Sequence, residues 1–309
     1  TFALESYGPA GAEKAETQSP PSAIAAKERN AERARILSIV MDDLAMESVE
    51  NFSRMVEAIK QYVERDMGPR DQVTLLTGSG RVQVPFTSDK QHLLDELTII
   101  FKKMNLSPLI RDSCIKLTDL EAWRFADGMH EFHVDRDYLI QRTMRCLNIT
   151  IDALGGTDSY KKTAEVYLRA VASLQRQMLE YQTRSLLAML RQHIRTLRHF
   201  EGAKTVVLFS DGFLSESESP EAYRLQEVID LALRSGIVLN SVSIRNPLQL
   251  SEELIDPLDK ALFKGAQRDY ADMENRSAKE SPLSQIAYET GGMFSHSRND
   301  LYKGIHEIA

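Results

Sequence analysis

The stretch Thr205–Gly212, Thr-Val-Val-Leu-Phe-Ser-Asp-Gly, constrains this chain more than any other. A continuous apolar run that stops on a polar, acidic turn reads as a strand covered on both faces. Ile36–Asp43, Ile-Leu-Ser-Ile-Val-Met-Asp-Asp, has the same form. Two such strands bring Asp42, Asp43 and Asp211 to the C-terminal edge of a parallel sheet, where open α/β folds hold their ligands.

Around these strands the chain alternates helix and strand. Phe52, Met55, Val56, Ile59 and Val63 recur at helical spacing within Val49–Met67, and Gly68-Pro69 stops the helix. Val73–Thr77 is a second strand, and Gly78-Ser79-Gly80 is a hairpin tip. Val82–Phe86 carries Pro85, which belongs on an edge, so this strand is expected to be antiparallel there. Ser88 with Gln91 reads as a capping box for a helix over Asp89–Met104. Tyr160–Phe200, without Pro or Gly, is one very long helix or two with a bend. A helix near Pro220–Arg234, a strand Ile237–Ile244, a short helix Leu283–Glu289, a strand Met293–His296 and a helix from Asn299 complete the chain. This rhythm predicts an α/β fold, Rossmann-like and doubly wound, with a mostly parallel sheet and one antiparallel edge strand. Residues 1–33, with Gly8, Pro9, Gly11, Pro20 and Pro21, read as an extension or linker. Residues 34–309 read as one domain with a large, mostly helical insertion over about 105–200 and a second, charged one over about 246–282.

Composition narrows the function classes. A 42% hydrophobic share in 309 residues supplies a full core. A net charge of -7 with no concentrated basic stripe argues against nucleic acid and anionic membrane surfaces as partners. No apolar run reaches the roughly 18 residues that span a bilayer, so no membrane insertion is expected. The sequence begins at Thr1 without a signal peptide, which reads as a fragment or processed product. Cys114 and Cys146 lack C-x-x-C spacing, which excludes a cysteine zinc site; they either pair or act as small hydrophobes. His130 and His133 have helical metal-ligand spacing but no third ligand, and His193 and His199 read as solvent-facing on the long helix. Ser215–Ser219 reads as a solvated loop bordering Asp211.

Several segments resemble, in order and spacing, a von Willebrand factor A (vWA) domain, and most nearly the bacterial VWFA-related group. They are the Asp-terminated first strand, Arg70-Asp71-Gln72-Val73, Phe86-Thr87-Ser88-Asp89, Val207–Gly212 and Ile286-Ala287-Tyr288-Glu289-Thr290-Gly291-Gly292. The likeness covers Ile36–Ala309 apart from the two insertions. It implies the vWA fold, an exported location, and a non-enzymatic adhesion-type domain that binds another protein. It also implies a metal-ion-dependent adhesion site in which an Asp-x-Ser-x-Ser loop, a Thr from a middle loop and an Asp after the fourth strand hold Mg²⁺, a hard cation that takes oxygen ligands. Here those positions fall on Asp42 or Asp43, on Thr157 within Gly155-Gly156-Thr157-Asp158-Ser159, and on Asp211, with Glu47 or Ser48 helping. The hydroxyl positions are altered: Leu44 and Met46 counted from Asp42, or Ala45 and Glu47 counted from Asp43. The implied site is therefore degenerate.

Two other readings stand beside it. In a receiver-type phosphoryl-transfer domain Asp42 and Asp43 would hold Mg²⁺ and Asp211 would accept phosphate, but Arg245 stands where a Lys is needed and the chain is long for a receiver. In a purely structural domain Asp42 and Asp211 cap turns, without a metal.

Overall fold

The computed structural model describes residues 35–46, 48–103, 114–127, 136–149, 157–245, 266–296 and 300–309. The extension read over 1–33, the pair His130 and His133, and Glu47 lie outside the described residues.

Strand β1 (Ile36–Met41) is buried at all six positions, so both of its faces need a cover. Leu37, Ile39 and Met41 join one apolar core, and Ile36 and Val40 join another. β1 lies at the centre of a sheet of six strands. The others are β2 (Gln72–Thr77), β3 (Gln83–Thr87), β4 (Lys204–Ser210), β5 (Ile237–Ser243) and β6 (Phe294–Ser295), in the order β3-β2-β1-β4-β5-β6. Every neighbour pair is parallel except β2 with β3. Pro85 sits on that antiparallel edge, where its missing N–H breaks no ladder.

Helices α1 (Val49–Arg65), α2 (Lys90–Lys103) and, at the chain's end, α8 (Leu301–Ile308) cover the first face. The insertion contributes α3 (Asp119–Asp127), α4 (Arg136–Cys146) and α5 (Thr157–Leu197), followed by α6 (Pro220–Arg234) and α7 (Ala266–Glu289). α5 is one helix of 41 residues with two separate tasks. Its C-terminal half sets Leu186, Leu187, Leu190, Ile194 and Leu197 on the second face of the sheet, beside α6 and the end of α7. Its N-terminal half sets Ala164, Leu168 and Ala172 against α3 and α4, forming a small separate core with Leu139 and Met144. Cys114 and Cys146 form a disulfide, Cα atoms 5.5 Å apart, that ties the chain before α3 to the end of α4.

Several local expectations are corrected. Asp89, not Ser88, caps α2, accepting a bond from the His92 amide at 3.1 Å. The last helix is capped by Asp300, which accepts from the Lys303 amide. α7 begins at Ala266 and runs through Pro282 to Glu289, where the sequence suggested a charged insertion up to Pro282 and a short helix from Leu283. A proline inside a helix removes the bond to the carbonyl four residues back, here that of Ala278, and crowds the preceding turn; in that turn the Lys279 carbonyl accepts from the Phe213 amide at 3.2 Å. His193 is buried rather than solvent-facing. Its Nε2 lies 2.8 Å from Ser38 Oγ in the middle of β1, with Phe86 stacked nearby, and burial lowers its pKa to about 4.

At the opposite end of the sheet Arg35 gathers the chain. Its guanidinium pairs with Asp71 at 2.5 Å and donates to the carbonyls of Asp66 and Ala309. Burial would raise the Asp71 pKa, but the bonds from Arg35 and the Gly68 amide bring it below the ordinary value.

Candidate functional site

The register of the central strands builds the site. Met41 pairs with Thr77 on one side and with Phe209 on the other. The Asp42 amide extends the ladder by donating to the Phe209 carbonyl at 2.9 Å. Asp42 therefore emerges beside Ser210, whose hydroxyl donates to Asp42 Oδ2 at 2.6 Å. The same Ser210 oxygen accepts from the Gly212 amide at 2.9 Å. The other carboxylate oxygen of Asp42 accepts from the amides of Leu44 and Ala45, at 3.3 and 3.4 Å. Gly78 passes close by: a Cβ there would lie 3.1 Å from Asp42 Oδ1. Burial pushes the Asp42 pKa up to about 6, against the pull of the Ser210 bond, and the charge of Asp43 adds to the rise.

Asp211 lies in the same edge and accepts from Asn51 Nδ2 at 3.4 Å. Asn51 stands in the first turn of α1, and its own Oδ1 is buried with no hydrogen-bond partner. Ser48 caps that helix by accepting from the Asn51 amide at 3.0 Å, so its hydroxyl is used locally.

Asp43 turns elsewhere. Its two oxygens accept from the amide and the hydroxyl of Ser79, both at 2.7 Å, and hold the β2–β3 hairpin tip. Thr157 opens α5, and its side chain lies outside the described set. The four sequence candidates thus divide: Asp42 and Asp211 meet through Ser210, and Asp43 clamps Ser79. Ser210, Asn51 and Ser79 are the partners that sequence reasoning missed. Ser210 carried a signal, since it precedes Asp211 in the Ser-Asp-Gly turn; Asn51 and Ser79 carried none.

The edge is also covered. Gly212 has φ +88°, and a Cβ there would lie 2.5 Å from the Lys279 carbonyl oxygen. Phe213 follows under the same turn of α7, and Leu214 packs with Leu120 and Trp123 of α3. The Lys279 ammonium, itself buried, pairs with Asp119 at 2.6 Å, and Asp119 also accepts from Gln175 of α5 at 2.9 Å. The insertion helices and α7 are thereby joined over the β4 turn. Asp42 is 1% exposed and Asp211 is 0% exposed.

Among the described residues these donors do not form the Mg²⁺ shell that the resemblance implies. An octahedral site needs several oxygens beyond its waters. Both oxygens of Asp42 are already engaged, Asp43 faces Ser79, and Leu44 and Met46 offer no hydroxyl. Among the described residues, Asn51 Oδ1 is a buried oxygen at this edge without a hydrogen-bond partner. Among the described residues no three acids, histidines or cysteines gather as metal ligands.

No protein-family profile and no curated protein matches the chain. Solved structures do show a likeness. An aerotolerance-related membrane protein from Bacteroides fragilis, carrying multiple mutations to serines, is 13% identical, with 89% of this chain and 98% of that chain covered and a TM-score of 0.43. A conserved hypothetical protein, BatB, from Bacteroides thetaiotaomicron is 12% identical, with 89% and 96% covered and a TM-score of 0.41. Among the described residues no helix is long and apolar enough to cross a membrane. The sheet order, the single antiparallel edge and the helices on both faces make this a von Willebrand factor A-like α/β fold.

Proposed function

We propose that this is a non-enzymatic, protein-binding vWA-like domain whose strand-end acids serve the structure and whose partner is met without a bound cation. The burial of Asp42 and Asp211 carries the reading. A cation that bridges to a partner's carboxylate must be reached from solvent, and here the Gly212 turn and α7 stand over it. The same burial weighs against the receiver alternative, in which a phosphodonor must reach Asp211. The Ser38–His193 pair is no nucleophile–base site, because both groups are buried within the sheet–helix core. An exported location is part of the proposal. It is supported by the Cys114–Cys146 disulfide, since such bonds persist in oxidising compartments.

Thermal unfolding with Mg²⁺, Mn²⁺ and Ca²⁺ against EDTA tests the reading, because a ligand that binds only the folded state raises the midpoint. The expected result is the same midpoint in all four. A rise with Mg²⁺ or Mn²⁺ that vanishes in Asp211→Ala would overturn it and restore a working cation site. A stable aspartyl phosphate on Asp211 after incubation with a small phosphodonor would favour the receiver reading.

A further inference from the structure

The solvent face of α5 carries a feature that neither the core nor the candidate site uses. Tyr181, Arg184, Ala188, Arg191, Arg195 and Arg198 follow one another at spacings of three and four, and all six are exposed. That is the spacing at which one helix presents a seam to another. The seam runs about 25 Å at the helical rise. Leu174, seven residues before Tyr181, continues it toward the N-terminus; it is 54% exposed and Tyr181 is 61% exposed. The exposed file thus changes from apolar to arginine along one continuous helix.

Its charge is concentrated. From Tyr181 to Phe200 there are four arginines and no Asp or Glu, in a chain of net charge -7. Arg191 pairs with Glu227 of α6 at 2.8 Å. Arg184, Arg195 and Arg198 make no side-chain bond among the described residues. The sequence reading that the chain has no concentrated basic stripe is corrected here: the four arginines lie within residues 184–198, and the helix brings them into one file.

We propose that this seam is the partner-binding face and that it takes an acidic amphipathic helix of another protein, with apolar residues on Leu174 and Tyr181 and carboxylates on the arginines. The file is a single row of exposed side chains on one helix, which argues for a helix as its occupant. Glu227 of α6 flanks it on one side, paired with Arg191, so a broad anionic surface, whether a membrane or a nucleic-acid duplex, would press its charge against that acid. A single acidic helix fits within the file. Ala188, small and midway along it, lets a helix approach closely. Arginine suits the pairing, because its planar fork bonds carboxylates through two N–H groups.

The inference rests on the protein-binding reading above, and one experiment separates the two. The probe is a labelled synthetic helix with Leu at the positions facing Leu174 and Tyr181 and Glu at those facing the arginines. Its binding to the whole chain is followed by fluorescence anisotropy, in EDTA and again in Mg²⁺. The expected result is binding in both buffers that weakens with added salt, since the pairs are solvent-exposed. The triple variant Arg184→Glu, Arg195→Glu, Arg198→Glu should keep the wild-type melting midpoint and lose at least about tenfold in affinity. It should also gain binding to the same peptide with Lys in place of Glu. No binding to the wild type in either buffer, or equal binding by the triple variant, overturns the seam and leaves the cation-independent reading standing. Binding only in Mg²⁺ overturns the cation-independent reading instead. Tighter binding to phosphatidylglycerol vesicles or to duplex DNA, lost in the triple variant, overturns the choice of a protein helix.

Discussion

Replacing Asp42 by Asn measures what the buried acid does. The folded pKa of Asp42 is about 6 against an ordinary 3.8. At 1.36 kcal/mol per pH unit this difference is worth about 3 kcal/mol. The folded state holds the proton more tightly than the unfolded one. The stability from this group is therefore complete below pH 3.8 and is lost as pH rises through about 6. Asparagine stays neutral throughout. Its oxygen can still accept from the Leu44 and Ala45 amides, but its NH₂ cannot accept from Ser210. That lost bond returns about 1 kcal/mol. Asp42→Asn should thus be more stable than wild type by about 2 kcal/mol above pH 7, and toward pH 4 the sign should reverse to a deficit of about 1 kcal/mol. Urea unfolding followed by circular dichroism from pH 4 to 8, in EDTA, gives the difference between the two proteins, in which all other titrations cancel. A variant less stable than wild type at neutral pH, or a difference that does not change with pH, would refute the reasoning. The first outcome would point to Asp42 being favoured as an anion, as it would be beside a cation; the second would mean that folding leaves its pKa unshifted.

His193 carries the opposite slope. Its folded pKa of about 4 lies below the ordinary 6.5, so its stability is present above 6.5 and lost as pH falls toward 4, by about 3 kcal/mol. The two windows overlap with opposite signs, so His193→Gln should steepen the loss of stability between pH 4 and 6.5 as pH rises, in the same urea series. Gly212→Ala should destabilise by more than about 2 kcal/mol, combining a left-handed backbone with a Cβ placed against the Lys279 carbonyl, and should show an earlier urea midpoint. Reducing the Cys114–Cys146 bond should remove about 2 to 4 kcal/mol, the range for closing a loop of this size. Because α3 and α4 hold a separate small core, protease cleavage should appear there before the sheet unfolds.

What could be read in advance was what repeats locally. β1 and β4 were legible because a strand covered on both faces must be apolar at every position, and Pro85 marked the antiparallel edge because its nitrogen cannot donate. The long helix was legible because residues 160–200 hold no breaker. The passage of α7 through Pro282 was not, since the turn before the proline is held from outside, the Lys279 carbonyl accepting from the Phe213 amide, which is remote in sequence. At the candidate site identity and spacing marked Asp42 and Asp211, and the resemblance to the vWA group implied the two hydroxyl positions that are altered here. The diversion of Asp43 to Ser79, the bond from Ser210 to Asp42 and the cover formed by Lys279 and Asp119 came only with the tertiary structure. His193 and the arginines of α5 show the same division within one helix. Their spacing was in the sequence, but which face met Ser38 and which met water depended on how the sheet received the helix. Periodicity fixes the angle between side chains on a helix. Burial, and with it every shifted pKa, is set by what another part of the chain places against them.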